Sequence, residues 1–200
     1  MKLAIIRYNA GNIQSVQYAL GRIGVAAVVT DDPEEIRTAD KIIFPGVGEA
    51  STAMGYLRDR GLDRVLSDLR QPVLGICLGM QLMCSYSEEN DTACMGIFGE
   101  RVMKFIPGDG GAGLKVPQIG WNTIYGLHST LFGGVPENSY CYFVHGYYAA
   151  LGDHTIARTD YVRPYSSALR RDNFYGVQFH PEKSATAGET ILRNFVENIH

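Results

Sequence analysis

Two hundred residues suit one domain, expected here as a single domain over residues 1–200, and an apolar fraction of 46% is enough to give it a real core. A net charge of −3 without a long basic run offers no electrostatic footing for nucleic acid. No apolar run approaches the length needed to cross a bilayer, and residues 1–6 lack a signal-peptide layout, so no membrane association is expected.

The first half alternates strand and helix signals. Lys2–Arg7 reads as a strand and Tyr8–Gly11 as a loop. Asn12 is placed to cap a helix whose apolar face is Ile13, Val16, Leu20 and Ile23, with Gly24 as its stop. Val25–Val29 is a second strand, and Lys41–Phe44 a third that runs into Pro45-Gly46-Val47-Gly48. Ala50–Arg60 and Leu62–Leu69 read as helices on either side of Gly61. Val73–Ile76 is a fourth strand and Leu78–Ser85 a further helix. The alternation predicts an α/β fold, a doubly wound and mainly parallel sheet with helices on both faces. Ligands of such sheets bind at the C-terminal ends of the strands, where Pro45–Gly48 and the turn at Cys77 both fall.

The second half offers short strand-like runs broken by Gly, Pro, Asn and Asp. They are Glu100–Phe105, Thr123–Tyr125, Tyr140–Val144, Thr155–Thr159, Ser167–Arg171 and Phe174–Gln178. Antiparallel hairpins added to the sheet are expected from them. Pro107–Gly113, with four glycines, reads as a mobile loop. A closing helix carries the stripe Ile191, Leu192, Phe195, Val196 and Ile199, and Thr186-x-x-Glu189 suggests a capping box at its start.

The chemistry centres on Gly75-Ile76-Cys77-Leu78-Gly79, which follows the apolar run Pro72-Val73-Leu74. A buried strand entering a glycine-flanked turn and then a helix has the layout of a nucleophile elbow, with cysteine as the nucleophile. A cysteine acts through its thiolate and needs a base or a lowered pKa. His180-Pro181-Glu182 can supply both a base and the carboxylate that orients it. Proline pushes the residue before it into an extended conformation, and in an extended segment residues two apart share a side. The oxyanion of an attacked carbonyl also needs donors. The backbone N–H of Leu78 is one candidate, and the peptides at Val47 and Gly48 supply the second. Taken alone, Pro45–Gly48 is equally a simple turn.

The remaining cysteines, Cys84, Cys94 and Cys141, fit inert core thiols, and His128, His154 and His200 fit structural roles. No Cys-x-x-Cys pair or zinc-spaced histidine cluster is present, so a reduced, cytoplasmic chain without a metal or an organic cofactor is expected.

These residues together resemble the class I (triad-type) glutamine amidotransferases over essentially the whole chain. The matching stretches are Tyr8-Asn9-Ala10-Gly11-Asn12 with Ser15-Val16, Pro45–Gly48, Gly75-Ile76-Cys77-Leu78-Gly79-Met80-Gln81 and Pro117-Gln118-Ile119-Gly120-Trp121-Asn122. Tyr142-Phe143-Val144-His145 and Gln178-Phe179-His180-Pro181-Glu182-Lys183-Ser184 complete the set. The resemblance implies that L-glutamine is hydrolysed to glutamate and ammonia by a triad of Cys77, His180 and Glu182. It implies that Gln81, Gly48 and the backbone at Gly146 and Tyr147 hold the amino-acid end of the substrate, with Glu89 on its ammonium. The opening loop and the Gly-Trp-Asn stretch are similar to those of a subfamily in histidine biosynthesis. Its members form heterodimers with a (β/α)8-barrel cyclase and pass it ammonia. That implies an interface role for Asn12, Trp121, Asn122, Tyr142 and Lys183, although Trp121 fits a core aromatic equally well. Members of this subfamily are nearly silent until the partner is loaded, which implies an oxyanion donor turned away at rest.

The chain departs from the family pattern at Arg7, Asn9, Gln118 and Gly146, which bears on partner contact and carboxylate binding but not on the triad. Amidotransferases serving pyridoxal phosphate, anthranilate or GMP synthesis share the same triad and are the alternatives. A cysteine hydrolase or peptidase is disfavoured by Gln81 and the His-Pro-Glu tripeptide. A non-catalytic regulatory subunit is disfavoured by the intact triad.

Overall fold

The computed structural model describes residues 1–9, 12–108 and 113–200. Parts of two expected loops, Ala10–Gly11 of Tyr8–Gly11 and residues 109–112 of Pro107–Gly113, lie outside the described residues.

The first half is built as βα units. In order they are β1 (Leu3–Ile6), α1 (Ile13–Arg22), β2 (Ala27–Thr30), α2 (Pro33–Arg37), β3 (Lys41–Gly46), α3 (Ala50–Asp59), α4 (Leu62–Ser67), β4 (Val73–Cys77) and α5 (Leu78–Met83). Then come β5 (Tyr86–Ser87), β6 (Thr92–Ala93), β7 (Arg101–Lys104), β8 (Gln118–Ile124), β9 (Ser139–His145) and β10 (Tyr147–Ala149). The chain closes with β11 (Thr155–Asp160), β12 (Pro164–Arg171), β13 (Phe174–Val177) and α6 (Ala185–Asn198). Short 3-10 turns cover Thr130–Phe132 and Pro181–Lys183.

The main sheet runs β2-β1-β3-β4-β13-β12-β10-β7-β5-β6, with β11 paired to β12. The pairs β2/β1, β1/β3, β3/β4 and β4/β13 are parallel. From β13 outward the pairs through β12, β10 and β7 are antiparallel. Alternation along β1 sorts the core onto two faces. Leu3 and Ile5 join Val16 and Leu20 of α1 and Ile191 and Phe195 of α6. Ala4 and Ile6 join Ile36 of α2, Leu57 of α3, Val65 of α4 and Leu82 of α5. Helices therefore cover both faces, and the fold is the expected doubly wound α/β sheet with an antiparallel portion.

Several local expectations change. The runs predicted at Thr123–Tyr125 and Tyr140–Val144 become β8 and β9, which pair with each other over seven residues as a second two-stranded sheet, while Tyr125, just past β8, bridges Arg158 of β11. Phe174–Val177 is not an added hairpin strand alone, because its other edge pairs parallel with β4 in the middle of the main sheet. The capping box at Thr186 and Glu189 does not form. The N-cap is Ser184, its hydroxyl donates to the His180 carbonyl instead, and Thr186 lies inside the helix. Asn12 does occupy the N-cap of α1, but its Oδ1 accepts from the Ser15 hydroxyl rather than from a backbone N–H. Helix α2 was not expected. Asp32 caps it with bonds from the N–H groups of Glu34 and Glu35, and Pro33 takes the first helical position.

Candidate active site

Strands β3 and β4 are in register with Gly46 opposite Cys77, so both predicted loops open at the same sheet edge. Cys77 is the hinge between β4 and α5, with φ 53° and ψ −110°. A non-glycine residue in that region stores about 1–3 kcal/mol of strain, held only by dense surroundings. Glycines provide that density. A Cβ on Gly79 would lie against the carbonyl oxygen of Phe44 in β3, with the carbonyl carbon at 2.9 Å. A Cβ on Gly75 would stand 2.8 Å from the N of Met80, and one on Gly46 would stand 2.9 Å from the Cβ of Leu78. The first turn of α5 is thus pressed against both strands. Leu78 opens that helix, where backbone N–H groups have no intrahelical acceptor.

The His-Pro-Glu segment follows β13 and is pinned to β9. The N–H of His180 donates to the Tyr142 carbonyl (2.9 Å), and the N–H of Tyr142 donates to the Ser184 hydroxyl (2.9 Å). His180 itself is extended, as Pro181 requires, but Pro181–Lys183 forms a 3-10 turn. That turn, not a continuous extended run, brings Glu182 Oε1 to 2.8 Å from His180 Nδ1. Both side chains are almost wholly buried. Burial lowers the pKa of His180, but hydrogen bonds with Cys77 and Glu182 outweigh it and raise the value to about 10. The second carboxylate oxygen of Glu182 is buried and has no hydrogen-bond partner among the described residues.

One cavity of about 220 Å³ collects these groups. It is smaller than the pockets that take drug-sized ligands and suits a guest of amino-acid size. Cys77 and His180 line it with Val47, Gly48 and Leu78, the expected oxyanion donors. Gln81, Glu89, Gly146 and Tyr147, the expected substrate residues, line it too. The choice between adjacent Glu88 and Glu89 is made by the backbone. Glu88 accepts the N–H of Lys104 (2.7 Å), away from the cavity. Glu89 accepts the N–H of Ala50 (2.8 Å) at the start of α3, and burial raises its pKa. Glu182 stands behind His180 and does not line the cavity.

Of the expected interface residues, Lys183 alone reaches the cavity wall. Its Nζ lies 5.9 Å from the centre of the Tyr142 ring, and Tyr142 meets Trp121 edge-on at 5.9 Å. Trp121 is 52% exposed and is not a core aromatic. It shares one face of the small sheet with Ile119 (64%) and Tyr140 (62%). Asn122 alternates away from that face, and its amide donates to the Asp160 carbonyl (2.8 Å). Asn12 is the N-cap of α1.

Three groups at the site had no role assigned from sequence. The Val144 carbonyl accepts from the Cys77 thiol at 3.7 Å. His145, in the cavity wall, is buried, and burial lowers its pKa to about 4. Gln178 is wholly buried and its amide Nε2 stands 3.7 Å from Cys77 Sγ. Gln178 precedes His180 by two residues, so strand alternation was the available signal for placing both toward the sulfur. Among the described residues no group of three or more His, Cys, Asp or Glu side chains could hold a metal ion, and no helix is long and apolar enough to cross a membrane.

An α/β sheet with a strained cysteine elbow and a buried histidine–carboxylate pair at its C-terminal edge defines the class of molecule. The chain belongs to the glutamine amidotransferase class-I family, whose sequence profile matches residues 5–199. It is 57% identical to the imidazole glycerol phosphate synthase subunit HisH of Bacteroides fragilis, over 98% of this chain and 100% of that one. It is 46% identical to the subunit of the same name from Pasteurella multocida, over 98% of each. Among solved structures, a putative GMP synthase subunit from Thermoplasma acidophilum shares the fold with a TM-score of 0.75 at 22% identity, covering 98% of this chain and 92% of that one. The structure of PurLQS from Thermotoga maritima does so with a TM-score of 0.72 at 15% identity, covering 100% and 99%.

Proposed function

We propose that this chain is the glutaminase subunit of an imidazole glycerol phosphate synthase, a single cytoplasmic domain that feeds ammonia to a cyclase partner in histidine biosynthesis. The observation that carries the reaction is the convergence of Cys77, His180, Leu78 and Gln81 on one cavity of amino-acid size. Identities of 46–57% to HisH subunits over nearly the whole chain support the choice of pathway.

His180, protonated at neutral pH, faces Cys77 as the cation a thiolate nucleophile needs. The thiolate attacks the side-chain amide carbon of glutamine. The resulting oxyanion is held by the Leu78 N–H and a peptide N–H at Val47 or Gly48. His180 gives a proton to the amide nitrogen, the C–N bond breaks, and ammonia leaves a γ-glutamyl thioester on Cys77. Now neutral, His180 takes a proton from water as the oxygen attacks the thioester. The sulfur is expelled, glutamate departs, and the proton taken from water returns His180 to its starting state. Glu182 holds Nδ1–H throughout, so the other ring nitrogen always faces the sulfur.

The partner surface follows from exposure. Ile119, Trp121 and Tyr140 form an apolar patch on the small sheet, and Lys183 and Tyr142 connect it to the cavity. Ammonia released there leaves beside Lys183 toward a (β/α)8-barrel cyclase docked on that patch. The test is a glutaminase assay of the co-purified pair with the acceptor substrate bound. Cys77→Ala abolishes ammonia release, and retained activity sinks the assignment. Stimulation by another synthase's partner, and not by the cyclase, would move the chain to a different amidotransferase.

A further inference from the structure

A chain of three amides runs from the substrate pocket to the sulfur. The Tyr147 carbonyl accepts from Gln81 Nε2 (2.9 Å), and Gln81 Nε2 also donates to Gln178 Oε1 (2.9 Å). Gln178 Nε2 then donates to Cys77 Sγ at 3.7 Å. Both glutamines are buried, Gln178 completely, so water does not compete for these bonds.

Side-chain amides can face either way, and the network decides which way. A backbone carbonyl can only accept. The same Tyr147 oxygen also takes the bond from His145 Nδ1 (2.7 Å), so it is a pure acceptor with both lone pairs engaged. Gln81 must therefore turn its NH2 toward Tyr147. That NH2 can only meet the oxygen of Gln178, which leaves the NH2 of Gln178 aimed at the sulfur. The opposite orientation of Gln178 would set two NH2 groups against each other and would put a second carbonyl oxygen on a sulfur that already faces the Val144 carbonyl.

We propose that Gln178 is a positioning residue that hydrogen-bonds the reacting sulfur, and that Tyr147 sets the direction of that bond through Gln81. The pocket end that takes the substrate's amino-acid portion is thereby wired to the nucleophile. This rests on the proposed function in one respect, that Cys77 is the nucleophile.

The test is alkylation of Cys77 by iodoacetamide at neutral pH, without glutamine, read by mass spectrometry of the peptide carrying it. Gln178→Leu is expected to slow alkylation about tenfold, the scale of one hydrogen bond to a charged group. Gln178→Glu keeps the acceptor for Gln81 but has no N–H for the sulfur, and slows it at least as much. Gln81→Leu never touches the sulfur, yet slows it too, because the Gln178 amide is then free to turn. In the glutaminase assay with the loaded partner, Gln178→Leu lowers kcat more than it raises KM. A folded Gln178→Leu protein with the wild-type alkylation rate overturns the contact. If that variant does not fold, Gln178→Glu decides. Gln81→Leu with the wild-type rate beside a slowed Gln178→Leu overturns the relay. A chain that shows the alkylation pattern but cleaves no glutamine supports the relay and refutes the proposed function.

Discussion

Among the described glycines Gly79 leaves the least room for a methyl group, and replacing it by alanine has a definite cost. The new carbon would lie on the Phe44 carbonyl, with Phe44 C at 2.9 Å, and both atoms are backbone in the middle of the sheet. Neither α5 nor β3 can yield separately, because the contacts at Gly75 and Gly46 hold the same helical turn from other sides. Overpacking in a tight core costs roughly 1–3 kcal/mol, and a rigid backbone neighbour places this site at about 3 kcal/mol. Alanine's better helix propensity returns about 1 kcal/mol, leaving a net loss of about 2 kcal/mol. Gly55, inside α3, is the control. A Cβ there meets nothing within 4 Å, so Gly55→Ala is expected to stabilise by about 0.5–1 kcal/mol. Urea unfolding of both variants reads the difference. The functional consequence is larger, because α5 carries the Leu78 N–H and starts at Cys77. A shift of about 1 Å at reacting groups costs on the order of 100-fold in rate. A Gly79→Ala protein with wild-type unfolding midpoint and kcat would refute the account of the elbow as a clamped, strained turn.

Two histidines give opposite pH limbs, readable as urea midpoints against pH. His180 is raised from 6.5 to about 10, so its stabilisation is complete below pH 6.5 and is lost as pH rises through 10. Glu182→Gln, which removes the carboxylate, should flatten that alkaline limb. His145 is lowered to about 4, so its contribution is complete above pH 6.5 and is lost as pH falls through 4, and His145→Gln should weaken the acid limb. Trp121→Ala is expected to leave stability within about 0.5 kcal/mol, since the ring is half exposed, but to weaken cyclase binding by at least tenfold, about 1.4 kcal/mol, in titration calorimetry. Unaltered affinity would place the docking face elsewhere. Lys41 Nζ donates to the carbonyls of Phe195 (2.9 Å), Val196 (2.5 Å) and Ile199 (2.5 Å), closing the end of α6. Lys41→Met strands those buried acceptors and should cost about 3 kcal/mol, with faster hydrogen exchange confined first to the C-terminal helix.

The parallel half of the sheet was legible because each βα unit is local. Apolar runs of four to six residues, a periodic helix face and a glycine stop are written within a few tens of residues. Helix α2 was missed although Asp32-Pro33-Glu34-Glu35 is a strong start signal, because five residues are too few to show a periodic face. The second half was less legible because strand partners are chosen at long range. No pattern within Gln118–Ile124 and Ser139–His145 says that they leave the main sheet, nor within Phe174–Val177 that it lies between β4 and β12. The capping box at Thr186 failed for a tertiary reason. Gly188 packs so closely that a Cβ would press on the Pro181 carbonyl, which sets where α6 begins.

By itself the sequence determined the elbow at Cys77, the tripeptide that supplies its histidine and carboxylate, and the sheet edge where they open. Those features depend on adjacent residues and on strand alternation, which local order already encodes. Only the tertiary structure decided that Glu89 and not Glu88 faces the cavity, that Trp121 is exposed while Asn122 is tied to Asp160, and that Gln178 stands against the sulfur. The hydrogen bonds behind those choices reach partners from 16 to 101 residues away in the chain. Side-chain direction at such positions is set by which distant backbone or side-chain group is there to accept or donate.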